Sequence, residues 1–260
     1  MLSEMEYQAI RYYQGDVKGN DPFYGDSKAY VTINSLFFRG IETEIRRARE
    51  GKRLNPEILK DKNRLFDLLS SLLDAMSNSV NQNCVCYRVE RYADYLQMKK
   101  EGHTISFTST SLKGFLEYYQ DREGIDLMEF MIEKGTPCFS YQELLQDDYL
   151  KKDEQEVLLP PGLNLTFEEV PLSAKERTIK DNNGLPPVLK VRCHIKGQCS
   201  YAHNVYPASD DYQAIKRLFA AINNNLPIND EDLAYYLAFK KAFVYELMTR
   251  KKDDESSSRV

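Results

Sequence analysis

The chain has 260 residues, of which 42% are hydrophobic and 29% are charged, and its formal net charge is −5 at pH 7. This length allows one large domain, or one domain with an extension, and the acidic balance argues against a nucleic-acid groove spread over the surface. No stretch approaches the roughly twenty consecutive apolar residues that cross a bilayer, and an odd number of cysteines, 5, does not indicate a disulfide framework.

Residues 1–82 are predicted to be mostly helical, with a loop over residues 15–25 that is rich in Gly, Asn, Asp and Pro. The basic cluster Arg46-Arg47-x-Arg49 is typical of the solvated face of a helix. Leucines then recur at the spacing of one helix face, at Leu65, Leu68, Leu69, Leu72 and Leu73. This stripe predicts core packing and not a cofactor site.

Strands are predicted from residue 84 to about residue 195, interrupted by one helix. The apolar run 84–87 leads into Arg88, which is therefore expected in or at the end of a strand. Arginine is seldom fully buried without a partner, and its planar fork suits phosphate or carboxylate. Two interpretations stay open: an anion-binding arginine, or a structural ion pair, for example with Glu90.

A strand is predicted to give way to a helix at the hydroxyl residues Ser109, Thr110 and Ser111. A serine at such a junction is most often an N-cap, which accepts a hydrogen bond from the first turn of the helix, and Ser111 suits that role. A functional role requires Ser109 to turn its hydroxyl toward a ligand or a catalytic carboxylate.

The apolar run 157–159 is closed by Pro-Pro-Gly and predicts a buried strand that ends in a turn, with Glu154 and Glu156 at its entrance. Because side chains two apart on a strand point to the same side, the two carboxylates are predicted to share one face, about 6.6 Å apart along the chain. One acid could stabilise a cationic intermediate while the other handles a nucleophile's proton. The alternative is a charged strand edge that prevents aggregation.

Cys193, Cys199 and His203 have spacings of six and four, near those of small zinc sites. The alternation of apolar residues over 189–195 argues more strongly for one face of a strand, so no metal is expected.

The last fifty residues are predicted to return to helix, with Ser209 and Asn229 as caps. The apolar faces of these two helices are Tyr212, Ile215, Leu218, Phe219 and Ile222 in the first and Leu233, Leu237 and Phe243 in the second. Packing against the rest of the chain is favoured over docking of a partner, and the tail over 251–260 is predicted to be disordered.

Three segments follow one another in a defined order: Tyr-Arg at 87–88, Phe-x-Ser-Thr-Ser at 107–111, and Glu-x-Glu-Val-Leu-Leu-Pro-Pro-Gly at 154–162. In this order they resemble the Arg, Ser, Glu class of mono-ADP-ribosyltransferases, the family of clostridial binary toxins and vertebrate arginine-modifying ectoenzymes. The last segment is the most specific part of the resemblance.

The resemblance extends over roughly residues 28–172. Ile33-Asn34-x-Leu36 is similar to the helical signature of the family, and Met131-Ile132-x-x-Gly135 is similar to its strand ahead of the acceptor loop. Val89 stands where the family often has Gly, which leaves Arg91 as the alternative anchoring arginine. The stretch from about residue 204 has no counterpart.

The resemblance implies an α+β fold, with an ADP-ribosyltransferase-type core of two packed mixed or antiparallel β-sheets, N-terminal helices and a C-terminal helical extension. The catalytic domain is accordingly predicted over 1–204, with a helical part at 1–82 and a β-rich core at 83–204. The extension is predicted over 205–260.

The resemblance also implies NAD as the substrate, without a metal. Arg88 would bind the phosphate or ribose part of NAD, and Ser109, with Thr110 and Ser111, would help to place the nicotinamide end. Glu156 would hydrogen-bond the ribose and stabilise an oxocarbenium-like transition state where positive charge develops.

Glu154 would prepare the acceptor guanidinium, because in this family a Glu at the first acidic position goes with arginine as the acceptor. The acidic, aromatic segment between Phe139 and Asp153 is expected to recognise the acceptor, and Tyr149 and Tyr141 could stack on its guanidinium. A solvated surface loop is the alternative.

The expected activity is transfer of a single ADP-ribose from NAD to an arginine of a target protein, with release of nicotinamide, by a bacterial effector or toxin. The first residues have neither the basic start nor the apolar core of a signal peptide, so delivery of a soluble protein into a host cytoplasm by a specialised secretion system is expected. The target protein is the expected partner, with a further partner for the C-terminal helices left open. An NAD glycohydrolase and a non-transferring binding module with the same cleft are the alternatives.

Overall fold

The structure is a computed structural model, and it describes most of the chain: residues 2–14, 30, 33–34, 39–51, 62–76, 80–115, 126–141, 155–181, 183–198 and 213–240. Within these ranges no helix combines the length and the apolar character needed to span a membrane. By their internal contacts the residues form two compact units, one over 76–199 and one made of 2–75 together with 200–260.

The unit over 76–199 contains seven described strands, which make it the β-rich part of the molecule. The strands are β1 (Cys84–Glu90), β2 (Thr108–Ser111), β3 (Asp126–Ile132), β4 (Phe139–Ser140), β5 (Glu156–Leu159), β6 (Leu163–Val170) and β7 (Leu189–Gln198). The helix between β1 and β2 is Tyr92–Glu101, and a 3₁₀ turn over Glu176–Thr178 precedes β7.

The strands form one sheet in the order β4-β5-β2-β1-β3-β7-β6. All neighbouring pairs are antiparallel except β3 and β7, which are parallel. The predicted mixed α+β class is therefore confirmed. The described strands make one continuous sheet, however, and not the two separate sheets that were expected.

This sheet cannot be flat. β5 and β6 stand five strand positions apart, which is about 24 Å in a flat sheet, whereas the three residues that join them reach about 14 Å. The backbone N–H of Gly162 donates to the carbonyl of Thr104, and the N–H of Leu165 donates to the carbonyl of Gly102, both at 2.8 Å. The sheet therefore curls until its distant strands approach one another.

Among the described residues, the larger apolar core of this unit explains why the short apolar runs form buried strands. Its members come from β1, β3, β5, β6 and β7 and from the helix Tyr92–Glu101, and they include Cys86, Met128, Phe130, Val157, Leu159, Leu165, Val191, Cys193, Tyr95 and Met98. A smaller cluster of Phe115, Leu127 and Ile179, with Tyr87 and Val89 packed against it, covers part of the other face. Each strand thus has two distinct faces.

The unit of 2–75 and 200–260 is helical in its described part. Its helices are α1 (Glu4–Gln14), α2 (Ile41–Arg49), α3 (Lys62–Ala75), α5 (Gln213–Asn223) and α6, described over 230–240, where α4 denotes the helix Tyr92–Glu101 of the β-rich unit. α1 packs against α3, and the predicted leucine stripe is buried at Leu69, Leu72 and Leu73.

The two C-terminal helices confirm part of the sequence prediction. In α5, Ile215, Leu218, Phe219 and Ile222 are buried as expected. The side chain of Asn229 accepts hydrogen bonds from the backbone N–H groups of Glu231 and Asp232, so it caps α6. The predicted inner face of α6 was wrong at Leu237, which is 42% exposed, whereas Leu233 is half-buried and the buried aromatic residues are Tyr236 and Phe239. Ser209, Tyr212 and Phe243 lie outside the described residues.

The contacts group the C-terminal helices with the N-terminal ones. α2 packs against α5, and Lys240 Nζ on α6 donates to the carbonyl oxygen of Arg39 at 2.9 Å. This grouping differs from the predicted extension over 205–260.

The basic cluster on α2 is not simply a solvated face. The helix forms as predicted, but Arg47 is buried together with Thr43 and Glu44. Burial lowers the pKa of Arg47, which the nearby carboxylate of Glu44 opposes. The charge of Arg47 is therefore part of the interior of this unit.

Candidate active site

Glu156 is the first residue of β5, which pairs with β2. Its register partner is Ser111, and Ser109 is the register partner of Leu158. Directly opposite residues of an antiparallel pair share a face, and diagonal neighbours lie about 7–8 Å apart. Both serines are therefore on the face of Glu156, Ser111 directly opposite and Ser109 on the diagonal. Glu156 is only 6% exposed, so this acid is largely withdrawn from bulk water.

The residue before Glu156 does not continue the strand. Gln155 has a φ of 45°, in the left-handed region, and β5 begins only at Glu156. The alternation argument for a shared face of Glu154 and Glu156 assumed an extended Gln155, and that assumption was wrong. Glu154 itself lies outside the described residues.

The three hydroxyl residues of β2 have different surroundings. Thr110 is buried, and its Oγ1 donates to the carbonyl oxygen of Val157 at 2.6 Å. Ser111 Oγ accepts the backbone N–H of Lys113 at 3.0 Å, so it caps the turn after β2 while remaining a strand residue. Ser109 is half-buried on the face of Glu156. The hydroxyl of Thr110 thus supports the strand pairing, whereas the two serines border Glu156.

Arg88 is held by a carboxylate and a carbonyl. Its Nε and Nη2 contact Glu90 Oε2 at 2.7 and 2.6 Å, and its Nη1 donates to the backbone carbonyl of Ser109 at 2.8 Å. The ion pair with Glu90 that the sequence suggested is confirmed. The role of Arg88 toward NAD stays a prediction, as does that of Arg91, whose backbone N–H donates to Glu90 Oε1.

Arg88 and Glu156 lie on opposite faces of the sheet. Tyr87 is opposite Ser111 and shares the face of Glu156, so its neighbour Arg88 projects the other way. Arg88 is therefore linked to the serine segment through the main chain of Ser109. This arrangement suits an arginine that fixes the position of β2.

A polar row continues from Glu156 along the sheet and was not anticipated from the sequence. Tyr87 is opposite Glu129, which in turn is the register partner of Arg192. Lys190 Nζ contacts Glu129 at 2.7 Å and Glu176 at 2.8 Å. Burial lowers the pKa of Lys190, but the two carboxylates outweigh that effect and the pKa is raised. The row therefore ends in a network of ion pairs, in which Lys190 contacts both Glu129 and Glu176.

Asp126, the first residue of β3, is fully buried, and within the described part of the chain neither of its carboxylate oxygens has a hydrogen-bond partner. Burial raises its pKa to about 6, and the nearby acids Glu90 and Glu169 act in the same direction. Asp126 is therefore a buried acid that favours its protonated form. Its register partner on β1 is Glu90, the residue that holds Arg88.

Tyr141 directly follows β4, whose Ser140 is the register partner of Val157, so Tyr141 is close in the sheet to the first residue of β5. Tyr141 is fully buried and packs edge-on against Phe139, with ring centroids 4.9 Å apart, so contact with an acceptor would require this segment to open. Tyr149 lies outside the described residues, as do Cys199 and His203. Cys193 is a buried residue of β7, and burial raises the pKa of its thiol.

Among the described residues, a groove of about 250 Å³ lies between α1 and α3 and is lined by Met5, Ala9, Tyr12, Leu68 and neighbouring polar residues. None of the predicted site residues lines it.

No family model matches the chain, and no curated protein matches it. Among solved structures, the chain is similar to the enzymatic component C2-I of the C2 toxin from Clostridium botulinum, with 12% identity and a TM-score of 0.44 over 76% of this chain and 44% of that one. The chain therefore spans less than half the length of C2-I.

Two further solved structures show a similar degree of likeness. An ADP-ribosyltransferase from Clostridium botulinum has 15% identity and a TM-score of 0.42, over 75% of this chain and 87% of that one. Exoenzyme S from Pseudomonas aeruginosa, in complex with human 14-3-3 protein beta and bound to Carba-NAD, has 14% identity and a TM-score of 0.42, over 75% and 74%. These likenesses are distant, with every TM-score below 0.5.

Proposed function

We propose that this protein is a mono-ADP-ribosyltransferase that transfers one ADP-ribose from NAD to an arginine side chain of a target protein, as a bacterial effector or toxin. The observation that carries the proposal is the surroundings of Glu156. This buried acid begins β5 directly opposite Ser111 and diagonal to Ser109. The sequence order of the Ser and Glu segments assigns these serines and this glutamate to one site.

The reaction requires negative charge where a sugar cation develops. The bond between the ribose carbon and the nicotinamide nitrogen breaks, its electron pair neutralises the pyridinium ring, and neutral nicotinamide leaves. The ribosyl oxocarbenium that remains is stabilised by the carboxylate of Glu156, because a charge fixed in a partly dehydrated site acts more strongly than one in water. The serines on its face supply hydroxyl groups that orient the carboxylate and the nicotinamide end.

The acceptor completes the transfer. A guanidinium nitrogen of the target arginine forms the new bond to the ribose carbon and loses a proton, for which Glu154 is the assigned base. This assignment rests on the Glu-x-Glu pattern of the sequence. Water in place of the guanidinium gives NAD hydrolysis, which needs Glu156 and does not need Glu154.

Arg88 acts in this proposal mainly by positioning. Its contact with the carbonyl of Ser109 and its ion pair with Glu90 fix the serine segment relative to β1. If Arg88 also contacts the phosphates of NAD directly, its guanidinium must do so while it keeps its contacts with Glu90 and with the carbonyl of Ser109.

The test is incubation of the purified protein with labelled NAD and a cell lysate, followed by mass spectrometry of modified side chains and by assay of nicotinamide release. Glu156→Gln is expected to lower both transfer and hydrolysis by at least a hundredfold, the usual effect of removing one group that stabilises transition-state charge. Glu154→Gln is expected to lose transfer and to retain hydrolysis. Glu133→Ala, at an exposed acid after β3, is the matched control and should leave both rates unchanged.

Three results would contradict the proposal in different ways. Label on cysteine, asparagine or nucleic acid removes the arginine assignment. Nicotinamide release without any labelled protein favours the glycohydrolase, and tight NAD binding without nicotinamide release favours the non-transferring binding module.

A further inference from the structure

The exposed large apolar side chains of the unit over 76–199 lie toward one end of its sheet. Among the described residues of this unit they are Tyr92, Leu96, Leu185 and Val188, with exposures from 43% to 70%. Tyr92 comes two residues after the end of β1, and Val188 immediately precedes β7. Glu90, Asp126 and Leu189 are successive register partners, so the chain leaves β1 and enters β7 at the same end of the sheet. Apolar surface is therefore concentrated at that end.

The segment 171–188, which joins β6 to β7, adds positive charge to this end. Its exposed charged residues within the described part of the chain are Lys175, Arg177 and Lys180. Its two acids, Glu176 and Asp181, are each only 8% exposed. Glu176 accepts hydrogen bonds from the Ser173 N–H and from Lys190 Nζ, and Asp181 accepts the N–H of Leu185. The surface charge of this segment is therefore positive.

Two contacts hold these cations close to the apolar side chains. Lys190, the second residue of β7, contacts Glu176 at 2.8 Å, which brings the 3₁₀ turn beside the start of β7. The N–H of Leu185 donates to Asp181 Oδ1 at 2.8 Å, and the N–H of Asp181 donates to the carbonyl of Leu185 at 2.9 Å. This closed turn follows Lys180 directly, so the cation and the exposed leucine are presented together.

We propose that this end of the sheet is a docking surface for an anionic lipid bilayer. The three exposed cations of 171–188 contact the lipid headgroups, while Leu185 and Val188 enter the boundary between headgroups and acyl chains. Tyr92 suits the same boundary because its ring is apolar and its hydroxyl is polar. A bilayer yields to side chains that project from a loop, whereas a protein partner needs a matching pocket for each of them.

The net charge of −5 for the whole chain does not oppose this binding. Charges act on the bilayer only within a Debye length, about 8 Å at physiological ionic strength, so the local balance decides. The exposed acid Glu169 on β6 is paired with Lys99 of α4 at 3.2 Å, which leaves the cations of 171–188 in excess. This inference goes beyond the proposed transferase function and does not depend on it.

The first test is co-sedimentation of the full chain with vesicles of phosphatidylcholine alone and of phosphatidylcholine mixed with phosphatidylserine. Binding is expected to the mixed vesicles only, and it should weaken as salt is raised. Lys175→Gln/Lys180→Gln is expected to lower the partition coefficient about thirtyfold, because each cation near an anionic surface contributes about a factor of five. Leu185→Ser/Val188→Ser is expected to lower it about tenfold, through loss of apolar burial.

Matched controls lie away from the docking surface. Lys134→Gln/Lys196→Gln removes two exposed lysines at the opposite end of the sheet, one after β3 and one near the end of β7. Leu226→Ser removes an exposed leucine of the helical unit. Both are expected to keep the partition coefficient within about twofold of wild type, because the attraction falls off within a Debye length.

The second test uses fluorescence, because the sequence contains no tryptophan. Tyr92→Trp places a single reporter on the docking surface, and its emission is expected to shift to shorter wavelength when vesicles containing phosphatidylserine are added. Leu226→Trp is the control and should show no shift. This measurement needs no second substitution, so it decides the question even where a double variant does not fold.

Equal binding to neutral and mixed vesicles, or binding to neither, overturns the proposal. So does an equal loss of binding in the lysine control, or a Tyr92→Trp spectrum that vesicles leave unchanged. Capture by immobilised polyglutamate without binding to vesicles would assign the surface to an acidic protein partner and likewise overturns the proposal. Nicotinamide release is measured separately, and its absence would remove the transferase function while vesicle binding stays as expected.

Discussion

Arg88 combines a charge pair and a main-chain contact in one side chain. Its guanidinium meets Glu90 within β1 and crosses to the carbonyl of Ser109 on β2. A lysine donates from a single nitrogen, so it cannot reproduce a planar fork whose separate nitrogens contact Glu90 and the carbonyl of Ser109. The two roles considered for Arg88, strand positioning and phosphate binding, therefore have different experimental signatures.

Arg88→Lys is expected to lower the free energy of unfolding by about 1–2 kcal/mol, because charge-assisted hydrogen bonds to Glu90 and Ser109 are lost. The rate of nicotinamide release should fall along with the stability. Urea denaturation and NAD kinetics check this, with Arg177→Lys, at an exposed arginine outside the predicted site, as the control. A higher KM for NAD with unchanged stability would instead indicate phosphate binding.

Asp126 makes the free energy of unfolding depend on pH, and its contribution to stability is greater at low pH. Its pKa of about 6 lies above the ordinary 3.8, so the folded protein binds a proton that the unfolded chain releases between these values. Stability from this residue is therefore fully present below pH 3.8 and declines as pH rises through 6. The difference corresponds to about 3 kcal/mol as an upper estimate.

Asp126→Asn is expected to remove this dependence, since the amide cannot ionise. Denaturation curves between about pH 4.5 and pH 7.5, a range that spans the raised pKa, should be flatter for the variant, which should be the more stable protein at the upper end. Equal slopes for the two proteins would show that Asp126 finds a partner when charged.

At the scale of elements, the turn between β5 and β6 is fixed by one threonine. Thr104 Oγ1 donates to the carbonyl of Pro160 at 2.7 Å and accepts the N–H of Leu163 at 2.9 Å, and its backbone pairs with Gly162 and Leu163. The residue is fully buried. Gly162 has a φ of 82°, which glycine adopts without strain.

Thr104→Val keeps the shape of the side chain and removes both side-chain bonds. The buried carbonyl of Pro160 then loses its donor, so the unfolding free energy is expected to fall by about 1–3 kcal/mol. Thr166→Val, at an exposed position of β6, is the matched control and should change stability little. Chemical denaturation of both variants provides the comparison, and equal effects would contradict the assigned role of Thr104.

Apolar runs were sufficient to predict β1, β5 and β7, because a buried strand needs little more than consecutive apolar residues between turn signals. The register that places Glu156 opposite Ser111 could not be predicted from the local sequence, since register depends on contacts between distant segments. Gln155 gave no signal, as nothing in its residue type predicts a positive φ. The sequence pattern predicted Leu237 on the inner face of α6, whereas packing of the helical unit buries the neighbouring Tyr236.

At the scale of the whole molecule, the two compact units differ in what holds them together. The unit over 76–199 depends on the sheet and its enclosed core, whereas the other joins the two ends of the chain through helix packing. Leu218 and Phe219 of α5 are buried in the second unit. The C-terminal helices are therefore expected to be structural parts of that unit.

Truncation after residue 204 tests this expectation. Removal of α5 and α6 takes away the helix that packs against α2, so the shortened protein should lose more helix by circular dichroism than the deleted residues account for. Truncation within 251–260 is the control. A shortened protein with the wild-type melting temperature would favour the independent extension predicted from the sequence.

The parallel pairing of β3 with β7 has a consequence for how the chain folds. These strands are about sixty residues apart in sequence, and their pairing joins the β4-β5-β2-β1-β3 part of the sheet to β7 and β6. Closure of so long a loop is slow compared with formation of a hairpin, because its entropy is lost before the contacts form. During synthesis, the curled sheet therefore cannot close until β7 has left the ribosome. Until then the apolar strands are exposed to solvent, and a chaperone would bind them.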